Sequence, residues 1–338
     1  MKLGKCDRKK GIDKENMSCY DISHKRYVVA RYSGLRHKYS VLEGEHIMEE
    51  KKVTGVKKFF GGIVLSFVIL GLFLGLQIVI SVVAMVIAAV PLAAEAGGDA
   101  QQVMVLLQEK VTQGSFMTTL TAIATAISAV IAVFFYWLIW GRKKTAEDQQ
   151  YLKENVIQAK PVAMITIAAV GTYFLAILIA SVIEFVSPET MEEYNALMES
   201  ALGGSGILAF LAAAILAPIN EECILRGLIL RNLKKYFSVP VVVILQAVMF
   251  GIFHMNWVQG LYVLPIGAAL GYVAVKSRSV LPCIYMHFVY NLMSFILGLL
   301  PDTFQSNVFA AIAVAISVVI LWLLYKEDHD KSCEQVEG

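Results

Sequence analysis

Along most of this chain the apolar positions follow neither a helical stripe nor a strand alternation; they simply run on. Eight stretches, about 59–92, 115–140, 161–186, 206–230, 239–256, 260–275, 280–300 and 304–325, are apolar nearly all round. A helix without a polar face has nothing to turn toward water, and roughly 20 residues cross about 30 Å of hydrocarbon. The pattern predicts an all-α, polytopic membrane protein with about eight transmembrane helices. The first stretch is overlong, which predicts tilt or continuation past the bilayer toward Pro91. The fifth and sixth are short and share a tight connection around Asn256–Gln259.

Residues 1–56 differ from the rest. They are rich in Lys and Arg, have no helical or strand period, and hold no apolar run ahead of a cleavage site. They are expected as a basic cytoplasmic arm without fixed structure, solvated or facing lipid headgroups. Residues 57–327 then form a helical membrane domain and 328–338 a cytoplasmic tail. Met48 opens the run MEEKKVTGVKKFF just before the first span and reads like a natural start, so part of 1–47 is expected to be absent from the mature protein.

Composition narrows the class. With 57% apolar and 17% charged residues and a mean hydropathy of +0.65, a soluble globular domain and a disordered chain are both excluded. Five cysteines, Cys6, Cys19, Cys223, Cys283 and Cys333, show no pairing pattern. Cys6 and Cys19 with His24 and His37 lack the paired CxxC spacing of a zinc site, and a polar tail is the better reading.

Charge gives orientation. Fifteen Lys and Arg lie in 1–58, five in 141–160, three in 231–235, two in 276–278 and two after 325. For eight crossings from an inside N-terminus, 27 of the 29 therefore fall on one side. Opposite them stand Lys110 and the acidic segment holding Glu189, Glu192, Glu193 and Glu199. The positive-inside rule then makes both termini cytoplasmic, in what is expected to be a bacterial cytoplasmic membrane.

Within the spans the ionisable residues are few: Glu221, Glu222 and Arg226 in the fourth, His254 in the fifth and His287 in the seventh, with Asn291 as a polar neighbour. Glu184 lies near a span end, within reach of water. A mid-membrane acid or arginine costs about 2.5–3.5 kcal/mol, so the three in the fourth span cost on the order of 8–10 kcal/mol. Glu222 and Arg226 are four apart with the acid first, the favourable order for an internal ion pair. Glu221 points about 100° away and has no partner on its own helix. His287 and Asn291, and Phe250 and His254, repeat the four-residue spacing, and the four polar groups of the three helices are expected to meet in one layer of the membrane.

An unpaired carboxylate in apolar surroundings is a competent base near neutral pH, and beside a histidine it can deprotonate water. A second histidine with a carboxamide can donate to a developing oxyanion. These are the parts of a peptide-bond hydrolase without a covalent nucleophile, since no GxSxG is present and Cys223 has no activating charge on its face. A zinc-bound water held by Glu221, His254 and His287 is the competing arrangement, although HExxH spacing is absent. Two other classes compete. A proton-coupled transporter predicts internal repeats, which are not found; a non-catalytic immunity or scaffold protein predicts decay of a motif, whereas all are intact.

At these residues the chain resembles the CAAX-protease and bacteriocin-processing (CPBP, or Abi) family, with its motifs EExxxR, FxxxH and HxxxN/B. They read here Glu221-Glu222-Cys-Ile-Leu-Arg226, Phe250-Gly-Ile-Phe-His254 and His287-Phe-Val-Tyr-Asn291. Ala217-Pro218, Gly227 and Gly267-xxx-Gly271 flank them, and the likeness covers about 205–292. Leu225 departs from the family, which often has an aromatic before the arginine; altered packing is the expected result. The resemblance implies a membrane-embedded endopeptidase in which Glu221 with His254 activates water, His287 and Asn291 stabilise the oxyanion, and Glu222, Arg226 and Phe250 shape the site. It implies no cofactor. It implies a peptide or membrane-associated protein substrate, prenylated or leader-bearing, with lipids and no nucleic acid as partners. Short loops point to substrate entry laterally or from the cytoplasm. GxxxG at Gly71–Gly75 and Gly267–Gly271 is expected to pack helices within the chain.

Overall fold

The computed structural model describes residues 17–22, 25–32, 35–41, 54–112, 114–203 and 206–337. They fall into two units, divided between Thr54 and Gly55. In the first, strands β1 (Met17–Ile22), β2 (Lys25–Tyr32) and β3 (Leu35–Val41) form an antiparallel meander in that order. Its register runs from Met17↔Ala30 to Ile22↔Lys25 and from Arg26↔Val41 to Tyr32↔Leu35. These strands stand where an N-terminal arm without fixed structure was expected. The signal lies in composition rather than alternation: KRYVVARY is dense in β-branched and aromatic residues, and two-residue gaps at 23–24 and at Ser33-Gly34 separate it from its neighbours. The start at Met48, and the side chains of the alternative Cys/His set, lie outside the described residues.

The second unit is all helix: α1 (Gly55–Glu95), α2 (Ala100–Thr112), α3 (Gly114–Ile139), α4 (Ala146–Asn155), α5 (Ala159–Val186), α6 (Pro188–Leu202), α7 (Gly206–Leu233), α8 (Val239–Phe253), α9 (Trp257–Tyr262), α10 (Leu264–Ser277), α11 (Leu281–Leu297) and α12 (Asn307–Glu337). Every predicted apolar stretch is helical, and side chains such as Leu72, Val130 and Phe185 face outward, as lipid-facing positions do. The chain is an integral membrane protein. Five helices among the described residues, α1, α3, α5, α7 and α12 through Lys326, have the length and composition to cross a bilayer. Three further apolar helices, α8, α10 and α11, have only 15, 14 and 17 residues, or about 21–26 Å each. The cause is local. Met255 turns into the left-handed region with φ 53°, and Asn256 caps α9 by accepting from the Gln259 N–H at 3.1 Å, so the fifth stretch ends early.

The two ends of this unit are built differently. At one end the segments around 61, 144, 231 and 278 converge. Asn232 Nδ2 donates to Gly61 O at 2.8 Å, Lys144 Nζ to Ser279 Oγ at 3.3 Å and Arg231 to Arg278 O at 3.0 Å. At the other end Tyr194 of α6 shares a hydroxyl hydrogen bond with Tyr262 of α9. There Ile183, Met191 and Val258 form a small core of their own, and Ser181 donates to Asn307 Oδ1 at 2.7 Å.

Glycine marks where backbones touch. A Cβ on Gly251 would stand 2.7 Å from Gly260 O, and one on Gly267 3.0 Å from the Phe250 ring. On Gly71 or Gly75 it would meet nothing within 4 Å. The Gly267–Gly271 motif thus packs α10 on α8, whereas Gly71–Gly75 packs nothing inside this chain, contrary to expectation. Gly251→Val should force α8 and α9 apart and lower stability by about 1–3 kcal/mol, while Gly71→Ala should leave it unchanged. Thermal unfolding of the detergent-purified protein checks both.

Candidate active site

Of the long spans, α7 is the most enclosed, and its interior is not uniformly α-helical. Leu211–Leu216 and Cys223–Ile229 are π-helical, with an α turn, Ala217–Glu222, between them. Pro218 contributes to this. In a π turn the Ala213 carbonyl waits for the N–H of residue 218, and proline has none. Asn291 of α11 fills the gap, donating from Nδ2 to Ala213 O at 2.7 Å. One hydrogen of its amide is thereby fixed, and the second remains on the same nitrogen.

The wide turn after Glu222 is almost wholly buried, from Cys223 to Ile229. Glu222 and Arg226 themselves are 0% and 1% exposed. Glu222 Oε1 accepts from Arg226 at 2.9 Å and from His287 Nδ1 at 2.8 Å. Arg226 reaches on to Gly267 O at 3.1 Å, where Gln246 also donates at 2.7 Å. The Phe250 ring lies under the guanidinium, 4.6 Å from Arg226 Cζ, and meets the His254 and His287 rings edge-on at 4.8 and 5.6 Å. One phenyl thus packs against all three cationic or imidazole groups.

Those bonds fix tautomers. With Glu222 accepting at His287 Nδ1, the proton of a neutral His287 sits there, and Nε2 points away, 3.8 Å from Glu221 Oε2. His254 does the same against backbone, with Nδ1 2.8 Å from Phe250 O, which leaves its own Nε2 as the acceptor. Glu221 Oε2 is buried without a hydrogen-bond partner among the described residues.

Glu221, His254, His287 and Asn291 all line one cavity of about 430 Å³. Its other walls are Tyr173 and Ala176 of α5, Tyr194 and Met198 of α6, and Tyr262 of α9. The sequence-selected residues are therefore gathered, with Glu222 and Arg226 behind the wall. As placed, they do not fit the alternative zinc set: among the described residues no three of His, Cys, Asp and Glu stand together as a metal-holding group. A second cavity of about 510 Å³, among α5, α11 and α12, has an almost wholly apolar lining.

Sequence reasoning missed Gln246, buried at 0% and bonded beside Arg226. It stands in the otherwise apolar run VVVILQAVMF, which is the signal that could have found it. The tyrosines of α6 and α9 carried no such signal, because their place is set by how those helices cover the cavity.

Residues 203–293 match the family model described as Type II CAAX prenyl endopeptidase Rce1-like. The match is consistent with the CPBP family, and all three motifs fall inside it. No curated protein and no solved structure matches the chain.

Removing one member of a buried ion pair strands the other, at about 3–5 kcal/mol. Glu222→Gln should therefore destabilise the protein by about that much, because the buried Arg226 guanidinium loses its counter-charge and only a neutral amide oxygen remains for Arg226 and His287. Glu221→Gln, which breaks no hydrogen bond to Oε2, should stay within about 1 kcal/mol of wild type. Unfolding midpoints in one detergent compare the two.

Proposed function

We propose that this protein is an intramembrane endopeptidase that hydrolyses a peptide bond with water activated by Glu221 and His254. The observation that carries the reading is the Glu221 carboxylate, whose Oε2 is buried without a hydrogen bond among the described residues and lies 3.8 Å from His287 Nε2, in a cavity shared with two imidazoles held at Nδ1 and an anchored amide. Water held between Glu221 and His254 Nε2 gives a proton to the carboxylate as its oxygen attacks the carbonyl carbon. The oxyanion that forms takes hydrogen bonds from Asn291 and from His287 Nε2, the latter in its doubly protonated form. When the tetrahedral intermediate collapses, the C–N bond breaks and the proton on Glu221 passes to the departing amine.

Glu222 and Arg226 act as positioning residues: one carboxylate oxygen holds His287, and the guanidinium holds that carboxylate. The substrate is a peptide or membrane-associated protein segment. A non-catalytic immunity or scaffold role gives no reason to keep the Glu221 carboxylate in this cavity.

We further read the chain as crossing the membrane eight times, with α8, α10 and α11 as short crossings. The distribution of Lys and Arg supports cytoplasmic termini. Expression of wild type and Glu221→Gln in the native membrane, with released peptides compared by mass spectrometry, tests the reaction. At least one peptide should fall by about 100-fold or more in the variant and return with wild type. Identical peptide profiles with a folded variant would overturn it.

A further inference from the structure

The end of the helical unit away from α6 and α9 gathers cations from three separate segments. Lys144 follows α3, Arg231 lies in the last turn of α7 with Lys234 directly after it, and Arg278 stands where α10 ends in the left-handed region at φ 55°. The bonds that bring them together use little of their capacity. Lys144 Nζ donates to Ser279 Oγ and Arg231 to the Arg278 carbonyl, and both acceptors are neutral. An ammonium carries three N–H groups and a guanidinium five, so each keeps donors to spare. Lys144 and Arg231 are half-buried rather than extended into water. Partial burial first, and the charge on Arg231 second, push the Lys144 and Lys234 ammonium groups below the usual lysine range; Arg278 adds to the effect on Lys234. Like charges are thus held close where they could have splayed apart.

Two acids of α4 are engaged elsewhere. Asp148, whose charge reaches Lys144, Arg231 and Arg278, gives Oδ2 to the Thr145 N–H at 3.1 Å and to its hydroxyl at 3.0 Å, in the capping box that starts the helix. Glu154 accepts from Gln150. Aromatic rings complete the setting. The Arg231 guanidinium lies 5.8 Å from the Tyr136 ring and 5.7 Å from that of Trp140, and Arg278 lies 4.6 Å from that of Tyr151. Trp and Tyr among cations at the end of membrane helices mark the headgroup layer. Trp137 and Ile139, beside Trp140, are exposed, as side chains facing acyl chains are.

We infer that Lys144, Arg231, Lys234 and Arg278 form a binding site for the phosphate group of an anionic membrane lipid. Phosphate suits these donors, because its oxygens accept several N–H groups at once and pair with arginine in a bidentate way. The lipid, rather than soluble phosphate, is favoured by position: a headgroup held here lays its chains along Trp137 and Ile139. Such a lipid ties together the ends of α3, α7 and α10, whose cations otherwise repel. It braces from outside the helix that carries Glu221 and Glu222 and the helix that carries the Gly267 carbonyl. The site does not depend on the hydrolytic reading.

Unfolding midpoints of the full-length protein, purified in detergent and stripped of lipid, test this. Phosphatidylglycerol should raise the midpoint by several degrees, and phosphatidylcholine and inorganic phosphate should leave it nearly unchanged. Lys144→Gln combined with Lys234→Gln leaves the Arg231 bond in place. Without lipid its midpoint should equal or exceed that of wild type, because repulsion is relieved, and its rise with phosphatidylglycerol should disappear. Lys144→Arg with Lys234→Arg should keep the rise. So should Lys153→Gln with Lys326→Gln, which removes as much charge elsewhere. No rise with phosphatidylglycerol, an equal rise with phosphatidylcholine, or a Lys144 and Lys234 Gln pair that keeps its rise overturns the inference. An equal loss in the Lys153 and Lys326 pair overturns it too, by making the effect one of overall charge. A Lys144 and Lys234 Gln pair too unstable to measure overturns the repulsion on which the site rests. An equal rise with inorganic phosphate overturns the lipid and makes soluble phosphate the ligand.

Discussion

A single carboxylate oxygen, Glu222 Oε1, holds the site together. It accepts from Arg226 on its own helix and from His287 on another, in surroundings where an unmatched charge costs several kcal/mol. Neither donor has an alternative acceptor for those protons. The interaction therefore fixes three things at once: the distance between α7 and α11, the tautomer of His287, and the direction of its free nitrogen. Arg226 extends the constraint to α10 through Gly267, and the Phe250 ring under the guanidinium extends it to α8. Four helices are thus registered by one buried charge pattern, in a solvent where the hydrophobic effect gives helices little reason to associate.

The neighbouring Glu221 stands in contrast, and the backbone accounts for part of the difference. The π turns of α7 widen the helix on either side of the two acids, and Pro218 leaves a carbonyl that Asn291 satisfies from across the interface. Such distortions are unfavourable in a free helix and are kept where neighbours supply the missing bonds. Their effect here is to send two adjacent carboxylates to different fates. One is locked into the core and the other is turned into the cavity, with its Oε2 unanswered.

Much of the site was legible because intramembrane charge is so costly that each instance needs a reason. Spacing by four placed Glu222 with Arg226, and His287 with Asn291, on shared faces, and the structure has Glu221, His254, His287 and Asn291 line one cavity. What was not legible depends on tertiary geometry. Gln246 looks like an ordinary polar lapse until its amide is seen beside Arg226 on Gly267 O. Tyr194 and Tyr262 come from separate short helices whose meeting no local pattern encodes. Gly71 and Gly75 carry the same spacing as Gly267 and Gly271 but pack nothing, because spacing does not say whether a partner helix is there. The β1–β3 meander was missed for the opposite reason: it lies in a segment so rich in Lys and Arg that charge masked the β-branched and aromatic residues of its strands.

The shortness of α8, α10 and α11 has a consequence for the lipid. Helices of about 21–26 Å fall short of an average hydrocarbon layer of about 30 Å, and the mismatch is relieved by thinning the bilayer beside them. The long helices α1 and α5 set no such demand, so the thinning is confined to the flank where the short helices meet lipid. Acyl-chain length then bears on the protein: thick, sterol-like membranes would strain this flank, and thin, short-chain ones would relax it. A polypeptide lying in the headgroup layer would there be closest to the depth of Glu221.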